Sequence, residues 1–221
     1  MKRTIEAERV FFGGGIIDFV RRSPGTLDAI GNAPALPAVV WAIAPNGWFD
    51  LEKLNYSRLF EEYLTPQIDL INRRISPSAA RAADERIASE VRKSPPVLFL
   101  RHRVFSGLLM PTLSNVFRKA AFAQTGADVA AIACALERFH RSKTEFPESL
   151  EALNPIFVEK LPHDIINGQP LKYRRTEDRQ YALYSVGWNE TDDGGTVMPG
   201  RAERAAEQQA PPEGDWVWRD Q

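Results

Sequence analysis

The sequence has very little cysteine: Cys134 is the single one among 221 residues, and this scarcity excludes a disulfide framework. Cys134 lies in the apolar run AAIACALE, where we expect it to be a small buried core residue. An excess of charge of one sign is also missing, because 28 lysines and arginines stand against 29 aspartates and glutamates. The formal net charge of -1 disfavours nucleic acid as a partner, since that role needs a basic surface.

No run of apolar residues approaches the roughly 20 that a membrane-spanning helix requires. The best candidate, residues 34–45, is short and is bracketed by prolines. The opening stretch MKRTIEAERVFF is interrupted by Glu6, Glu8 and Arg9, so it lacks the uninterrupted apolar segment of a secretory signal. We expect no membrane span in this chain, and we expect either a cytoplasmic protein or a piece of a longer, membrane-anchored one.

The first 110 residues carry helical patterns. Three consecutive glycines interrupt the earliest pattern, and they lack the GxGxxG or GKS context of a phosphate-binding loop. Apolar spacing predicts a helix or helix pair over residues 48–75, with a kink or a new start at Pro66. A polar, alanine-rich segment predicts a solvent-facing helix over residues 77–94. We interpret residues 1–110 as a helical region of unknown role.

The longest helical pattern covers residues 112–141, where apolar or small side chains recur at the spacing of one helix face. At 1.5 Å rise per residue, such a helix would be about 45 Å long. A proline then stops the pattern, and residues 147–154 predict a short helix.

The remaining sequence predicts a small sheet. Alternating apolar residues, bounded by turn residues, predict strands at residues 171–175, 181–186 and 215–219. A polar insertion over residues 198–213 predicts a mobile loop. The expected fold class is therefore α+β, with residues 111–221 forming a long helix packed on an antiparallel three-stranded sheet.

Five short motifs follow one another within residues 117–218: ALERFH at 135–140, FPESLEAL at 146–153, LPHD at 161–164, NGQPLKY at 167–173 and YSVG at 184–187. In this order and spacing they resemble the soluble domain of type II secretion major pseudopilins. The resemblance implies a long helix, a proline-bounded loop, a small antiparallel sheet packed on the helix, and an acidic loop that can hold calcium. It also implies a periplasmic or cell-envelope location and protein partners.

The acidic loop at residues 188–195 is the chemical feature of that resemblance. It implies Asp192 and Asp193 as side-chain calcium ligands, with Ser185 or Val186 offering a carbonyl and Asp215 closing the site. Calcium prefers such oxygen ligands on a loop that can wrap the ion. The alternative is a solvated loop in which Asp192 starts an Asx-type turn. Both interpretations stay open at this point.

Enzymatic interpretations have less support in the sequence. Glu137 and His140 form an E-x-x-H pair like those of di-iron bundles, but a second pair is missing, so we expect a surface contact. Adjacent aspartates lack the fixed separation of paired-carboxylate hydrolysis, and serine catalysis lacks its elbow motif. We expect a non-catalytic structural or interaction protein of the bacterial envelope, related to secretion. The alternatives are an enzyme of unknown type with a site between the two regions, near His102 and Trp48, and a cytoplasmic scaffold.

Overall fold

The computed structural model describes residues 14–23, 43–91, 93, 95–176, 180–195, 211 and 214–218. The chain divides into two compact units. Unit 1 comprises Met1–Leu70 and Ser78–Asn115, and unit 2 comprises Ile71–Pro77 and Val116–Gln221. Most of the apolar segment 34–45 and of the predicted mobile loop at 198–213 lies outside the described residues.

The described elements are mainly helical in unit 1, which also holds one two-residue strand, and mixed in unit 2, which confirms the α+β class. The helices are α1 (Gly15–Arg22), α2 (Asn46–Leu59), α3 (Pro77–Val91), α4 (Pro95–Leu100) and α5 (Val104–Lys143). A π-helical turn (Phe60–Leu64) and a 3-10 turn (Thr65–Gln67) follow α2, and a second 3-10 turn spans Leu150–Leu153. The strands are β1 (Ile68–Asp69), β2 (Arg74–Ile75), β3 (Lys172–Arg175), β4 (Tyr181–Ser185) and β5 (Trp216–Val217). None of the helices described combines the length and the hydropathy needed to cross a membrane.

Helix α2 ends at Leu59, and Pro66 follows only after a π-helical turn. Pro66 lies in the first turn of the 3-10 segment, and β1 begins directly afterwards. Because proline has no backbone N–H, it cannot continue the hydrogen-bond ladder of an α-helix. The expected restart of a second helix after Pro66 is wrong, since the chain becomes extended at Ile68.

Helix α3 is not solvent-facing on all sides, and that expectation is wrong for one face. Ala80, Ala83 and Ile87 are only 2%, 5% and 4% exposed. Their spacing of three and four residues places them on one side of the helix, where two small alanines allow close packing. Pro95 does not simply stop this segment either, because it begins α4, as proline is tolerated in the first turn of a helix.

Aromatic stacking joins α2 to α4 in unit 1. The Trp48 ring stacks on Phe99 with 4.6 Å between centroids, and the indole Nε1–H donates to the Phe99 carbonyl oxygen at 3.0 Å. Two turns along α2, the Asn55 side-chain amide donates to the carbonyl oxygens of Arg101 and His102 at 3.2 and 3.0 Å. These contacts satisfy carbonyls at the C-terminal end of α4, which have no partner within the helix.

Helix α5 confirms the predicted long helix but begins at Val104 rather than at residue 112. The sequence places Pro111 inside it, and an interior proline costs a helix about 3 kcal/mol. The helix nevertheless includes the turns before Pro111, because Val104, Phe105 and Met110 are at most 1% exposed. Burial of these side chains offsets the cost of the proline. The later start predicted from the sequence was wrong because local propensity ignores such packing.

The core of unit 2 lies between α5 and the sheet. Strands β3, β4 and β5 are adjacent and antiparallel, with Tyr173 opposite Leu183 and Ser185 opposite Trp216. The buried apolar cluster contains Val129, Ile132, Ala135, Leu136, Leu150, Leu153, Leu171 and Leu183. Trp218 packs against this cluster, and Trp216 meets Phe122 of α5 edge to face at 5.2 Å. The two tryptophans therefore help to cover the core of unit 2.

Cys134 is exposed, so its predicted burial in the core is wrong. It follows Ile132 by two residues, which corresponds to about 200° around an α-helix. Ile132 and Leu136 are both fully buried and lie on the same face, so Cys134 points away from it. An apolar run predicts a helix but does not show which of its residues face the core. The helical spacing of the buried residues shows which side of the helix is the inner one.

The connector before β3 is held by the buried carboxylate of Asp164, which is 1% exposed. Its Oδ1 accepts the Ile166 N–H at 2.9 Å, and its Oδ2 accepts the Val186 N–H at 3.1 Å. Residues 71–77 join the same connector, because the Ile75 N–H donates to the Ile165 carbonyl oxygen at 2.8 Å. Asp164 therefore links the LPHD motif to the end of β4.

Replacing Leu136 by alanine should destabilise unit 2 by about 2–5 kcal/mol, because it leaves a cavity in the cluster between α5 and the sheet. Chemical denaturation followed by far-ultraviolet circular dichroism measures the loss. The matched control is Val116→Ala on the same helix, where the side chain is 42% exposed and a change within about 0.5 kcal/mol is expected. Equal effects of the two variants would contradict the packing described.

Candidate functional site

The candidate site is the acidic loop that leaves β4 after Ser185 and is closed by Asp215 just before β5. Gly187 turns the chain at φ +66°, a conformation that disfavours side chains. A Cβ atom added there would overlap the carbonyl oxygen of Gly214, so only glycine allows the two backbones to approach. This close approach brings the residues before β5 beside the start of the loop.

Asp192 is exposed and accepts several hydrogen bonds. Its Oδ1 accepts the Gly194 N–H and the Tyr184 hydroxyl, each at 3.1 Å. The Lys172 ammonium lies 3.2 Å from Oδ2. The Gly194 N–H, followed by Lys172, lowers the pKa of Asp192 below its usual value. The Gly194 contact is the Asx-type turn that the sequence predicted as one of two alternatives.

The side chain of Asp193 has one described hydrogen bond. The Asn189 amide Nδ2 donates to Asp193 Oδ2 at 2.8 Å across the loop. The Asn189 Oδ1 in turn accepts the Thr191 N–H at 3.1 Å. These hydrogen bonds tie the Asp193 carboxylate to Asn189 within the loop.

Asp215 is fully buried, unlike the other two aspartates. Its Oδ2 accepts the Gly195 N–H at 2.7 Å, whereas its Oδ1 is buried without a hydrogen-bond partner. Burial raises the pKa of Asp215, the N–H groups of Gly195 and Asp193 oppose the rise, and the charges of Asp193 and Asp192 add to it. The three predicted side-chain ligands are therefore close enough to interact electrostatically.

Ser185 is buried at the end of β4 and its hydroxyl is used locally. The Gly187 N–H donates to Ser185 Oγ at 3.2 Å, which stabilises the turn into the loop. The hydroxyl of Ser185 is thus a structural group here.

These residues fit a cation only in part. Within the described residues, no three His, Cys, Asp or Glu side chains form a group that could hold a metal ion. The unpartnered Oδ1 of Asp215 is the observation that favours one, because a buried carboxylate oxygen without a donor is costly. Calcium also accepts main-chain carbonyls and water as ligands, so a complete set of carboxylates is not required.

Lys172 and Tyr184 are site residues that the sequence did not single out. They are opposite each other in the β3–β4 register, and both contact Asp192. Cross-strand partners share one face of a sheet, so pairing the two predicted strands would have placed them together. The missing information was the register, which strand alternation alone leaves open.

The three histidines lie in separate environments. His140 stacks on Phe146 with 4.4 Å between ring centroids, which is the contact found for it in place of the expected surface contact with Glu137. His163 Nε2 donates to the Asn72 carbonyl oxygen at 2.9 Å. His102 lies against Trp48 within unit 1, with 5.7 Å between the rings. No two of these described histidines share one site.

No known family model, curated protein or solved structure matches the chain.

Replacing Gly187 by alanine should destabilise unit 2 more than the same change at Gly194. Both glycines have positive φ, +66° and +70°, so each substitution costs about 1–2 kcal/mol in backbone strain. An added Cβ at Gly194 meets no atom within 4 Å, whereas at Gly187 it overlaps Gly214. Urea unfolding should show a further loss of about 1–3 kcal/mol at Gly187. Similar losses at the two positions would argue against the close approach.

Proposed function

We propose that this chain is a non-catalytic, pseudopilin-like interaction protein of the bacterial cell envelope, related to secretion, whose β4–β5 loop binds calcium. The observation that carries the proposal is the arrangement of unit 2. A long helix packs on a three-stranded antiparallel sheet, and an acidic loop connects the last two strands. The five motifs that resemble major pseudopilins lie in these elements or in the turns and connectors between them.

The positions of those motifs support the proposal. ALERFH lies in the last turns of α5, and FPESLEAL contains the 3-10 turn at Leu150–Leu153. LPHD supplies the buried Asp164, and YSVG runs from β4 into the Gly187 turn. Each motif therefore supplies either a core contact or a turn that the fold needs, which is what a shared fold would require.

The electrostatics of the loop support the calcium part of the proposal. Asp192, Asp193 and the buried Asp215 lie within interaction range, and their mutual repulsion contributes to the raised pKa of Asp215. A bound cation would reduce this repulsion and satisfy the free Oδ1 of Asp215. Asp192, Asp193 and Asp215 would supply side-chain ligands, and calcium would fix the loop in one conformation.

The use of the carboxylates also supports a structural role over catalysis. The described hydrogen bonds of Asp215 and Asp164 come from main-chain N–H groups, and Ser185 Oγ accepts one as well. A general base must be free to abstract a proton from a substrate. The carboxylate of Asp164 and the hydroxyl of Ser185, which are committed to backbone donors, hold a strand end and a turn instead.

Calcium should raise the unfolding midpoint of the chelator-treated protein, while magnesium should have a smaller effect because it demands strict octahedral geometry. At a free calcium concentration about 100-fold above Kd, the stabilisation is about 2.7 kcal/mol. Thermal unfolding with and without each ion measures it. Asp215→Asn and Asp193→Asn should each remove most of the calcium response.

The matched control for these variants is Glu148→Gln, which removes an exposed carboxylate from the same unit. It should retain the full calcium response. No calcium response in the unmodified protein, or an equal response in all variants, would remove calcium from the proposal. The pseudopilin-like fold and its interaction role would then need their own test.

Fractionation of bacteria that naturally produce the protein tests its location. Antibodies against unit 2 should detect it in the periplasmic or envelope fraction, because the proposed partners lie there. A cytosolic enzyme and a periplasmic enzyme serve as markers for each fraction. Recovery with the cytosolic marker alone would contradict the envelope location and favour a cytoplasmic scaffold.

A further inference from the structure

Unit 1 contains a fully buried carboxylate at Glu52 of α2. Its Oε1 accepts the Val104 N–H at 2.8 Å, and its Oε2 accepts the Phe105 N–H at 3.1 Å. Val104 and Phe105 are the first two residues of α5 and are themselves buried. One side chain from α2 therefore receives both of these N–H groups at the start of the long helix.

The contact supplies hydrogen-bond acceptors for the first N–H groups of the helix. The first N–H groups of a helix have no partner within it, and leaving a buried donor unpaired costs about 1–3 kcal/mol. Glu52 therefore attaches the first turn of α5 to α2.

Burial works against the charge of the same group. It raises the pKa of Glu52 to about 8, even though the two backbone donors act in the opposite direction. In the unfolded chain a glutamate titrates near about 4.3. Glu52 therefore keeps its proton in the folded protein over a pH range in which the unfolded chain has lost it.

The neighbouring charged groups are engaged elsewhere. Lys53, the next residue on α2, pairs with Asp18 of α1 at 2.5 Å. Arg103, which precedes α5, pairs with Glu90 of α3 at 2.6 Å. His102, in the turn after α4, lies against the Trp48 ring. Burial is the cause of the raised pKa of Glu52 and the two N–H donors oppose it, so protonation of Glu52 is governed by its immediate surroundings.

We propose that Glu52 is a proton-controlled latch between α2 and the first turn of α5, built from a fully buried carboxyl group that receives the N–H groups of Val104 and Phe105. Ionisation places a charge in the core of unit 1 with only two N–H donors to stabilise it. The latch therefore weakens as the pH rises, and the N-terminal turn of α5 opens more often. The device lies in unit 1 and is independent of the proposed calcium loop.

The sign of the pH effect follows from the two protonation states. Between about pH 4.3 and pH 8 the folded state holds one proton more than the unfolded state, so stability falls as the pH rises. One such group increases the equilibrium constant for opening about tenfold per pH unit within this range. Above about pH 8 both states are ionised and the dependence ends.

Hydrogen exchange measured by mass spectrometry on the full chain, for peptides covering residues 98–110, tests the latch between about pH 5 and 9. Comparison with Glu52→Gln at each pH cancels the intrinsic pH dependence of exchange. Relative to this variant, opening in the unmodified protein should increase with pH up to about 8 and then level off. The matched control, Asp50→Asn, removes an exposed carboxylate from α2 and should behave like the unmodified protein.

A second measurement decides the matter if Glu52→Gln does not fold. Carbon-13 NMR of the glutamate carboxyl groups, assigned through residue 52, gives the titration midpoint in the unmodified protein. A midpoint above about pH 6 supports the latch, and a midpoint at or below about pH 6 overturns it. Identical pH dependence of exchange in the unmodified protein and in a folded Glu52→Gln variant also overturns it.

Discussion

Both units depend on buried carboxylates that accept backbone N–H groups from elements distant in the sequence. Glu52 joins α2 to the start of α5, and Asp164 joins the LPHD connector to the end of β4. These side chains are at most 1% exposed. Helix starts and strand ends leave main-chain donors without partners, and a carboxylate has enough acceptor sites to satisfy two of them. The hydrophobic clusters supply most of the stabilisation, while these contacts determine where each element ends.

Asp164 and Asp215 differ in how many of their carboxylate oxygens accept a hydrogen bond. Both oxygens of Asp164 accept N–H donors, so this carboxylate has a purely architectural role. Asp215 uses one oxygen for Gly195 and leaves the other buried without a partner. Native structures rarely leave such an atom unsatisfied, so Asp215 has acceptor capacity that the described contacts do not use.

Features that depend on local periodicity could be predicted from the sequence. Features that depend on contacts with main-chain groups far away in the sequence could not. Alternation predicted β3 and β4, and helical spacing predicted most of α5, because side-chain direction repeats with the backbone geometry. The start of α5 was missed because the cost of Pro111 is offset by burial, which a local pattern does not show. Glu52 could not be identified because its partners are main-chain groups of Val104 and Phe105, 52 and 53 residues away. A backbone donor carries no signature in the sequence.

The long segment between Gly195 and Asp215 does not prevent these residues from meeting. Their hydrogen bond joins residues that are 20 positions apart in the sequence. The close approach of Gly187 to Gly214 holds the residue before Asp215 beside the start of the loop. The entropy of closing a loop grows only with the logarithm of its length, so doubling a loop costs about 0.6 kcal/mol. The segment can therefore vary in length while its two ends stay fixed. For this reason the position of Asp215 is determined by the β4–β5 pairing, and its distance along the sequence from Asp192 and Asp193 is a poor guide to whether the three act together.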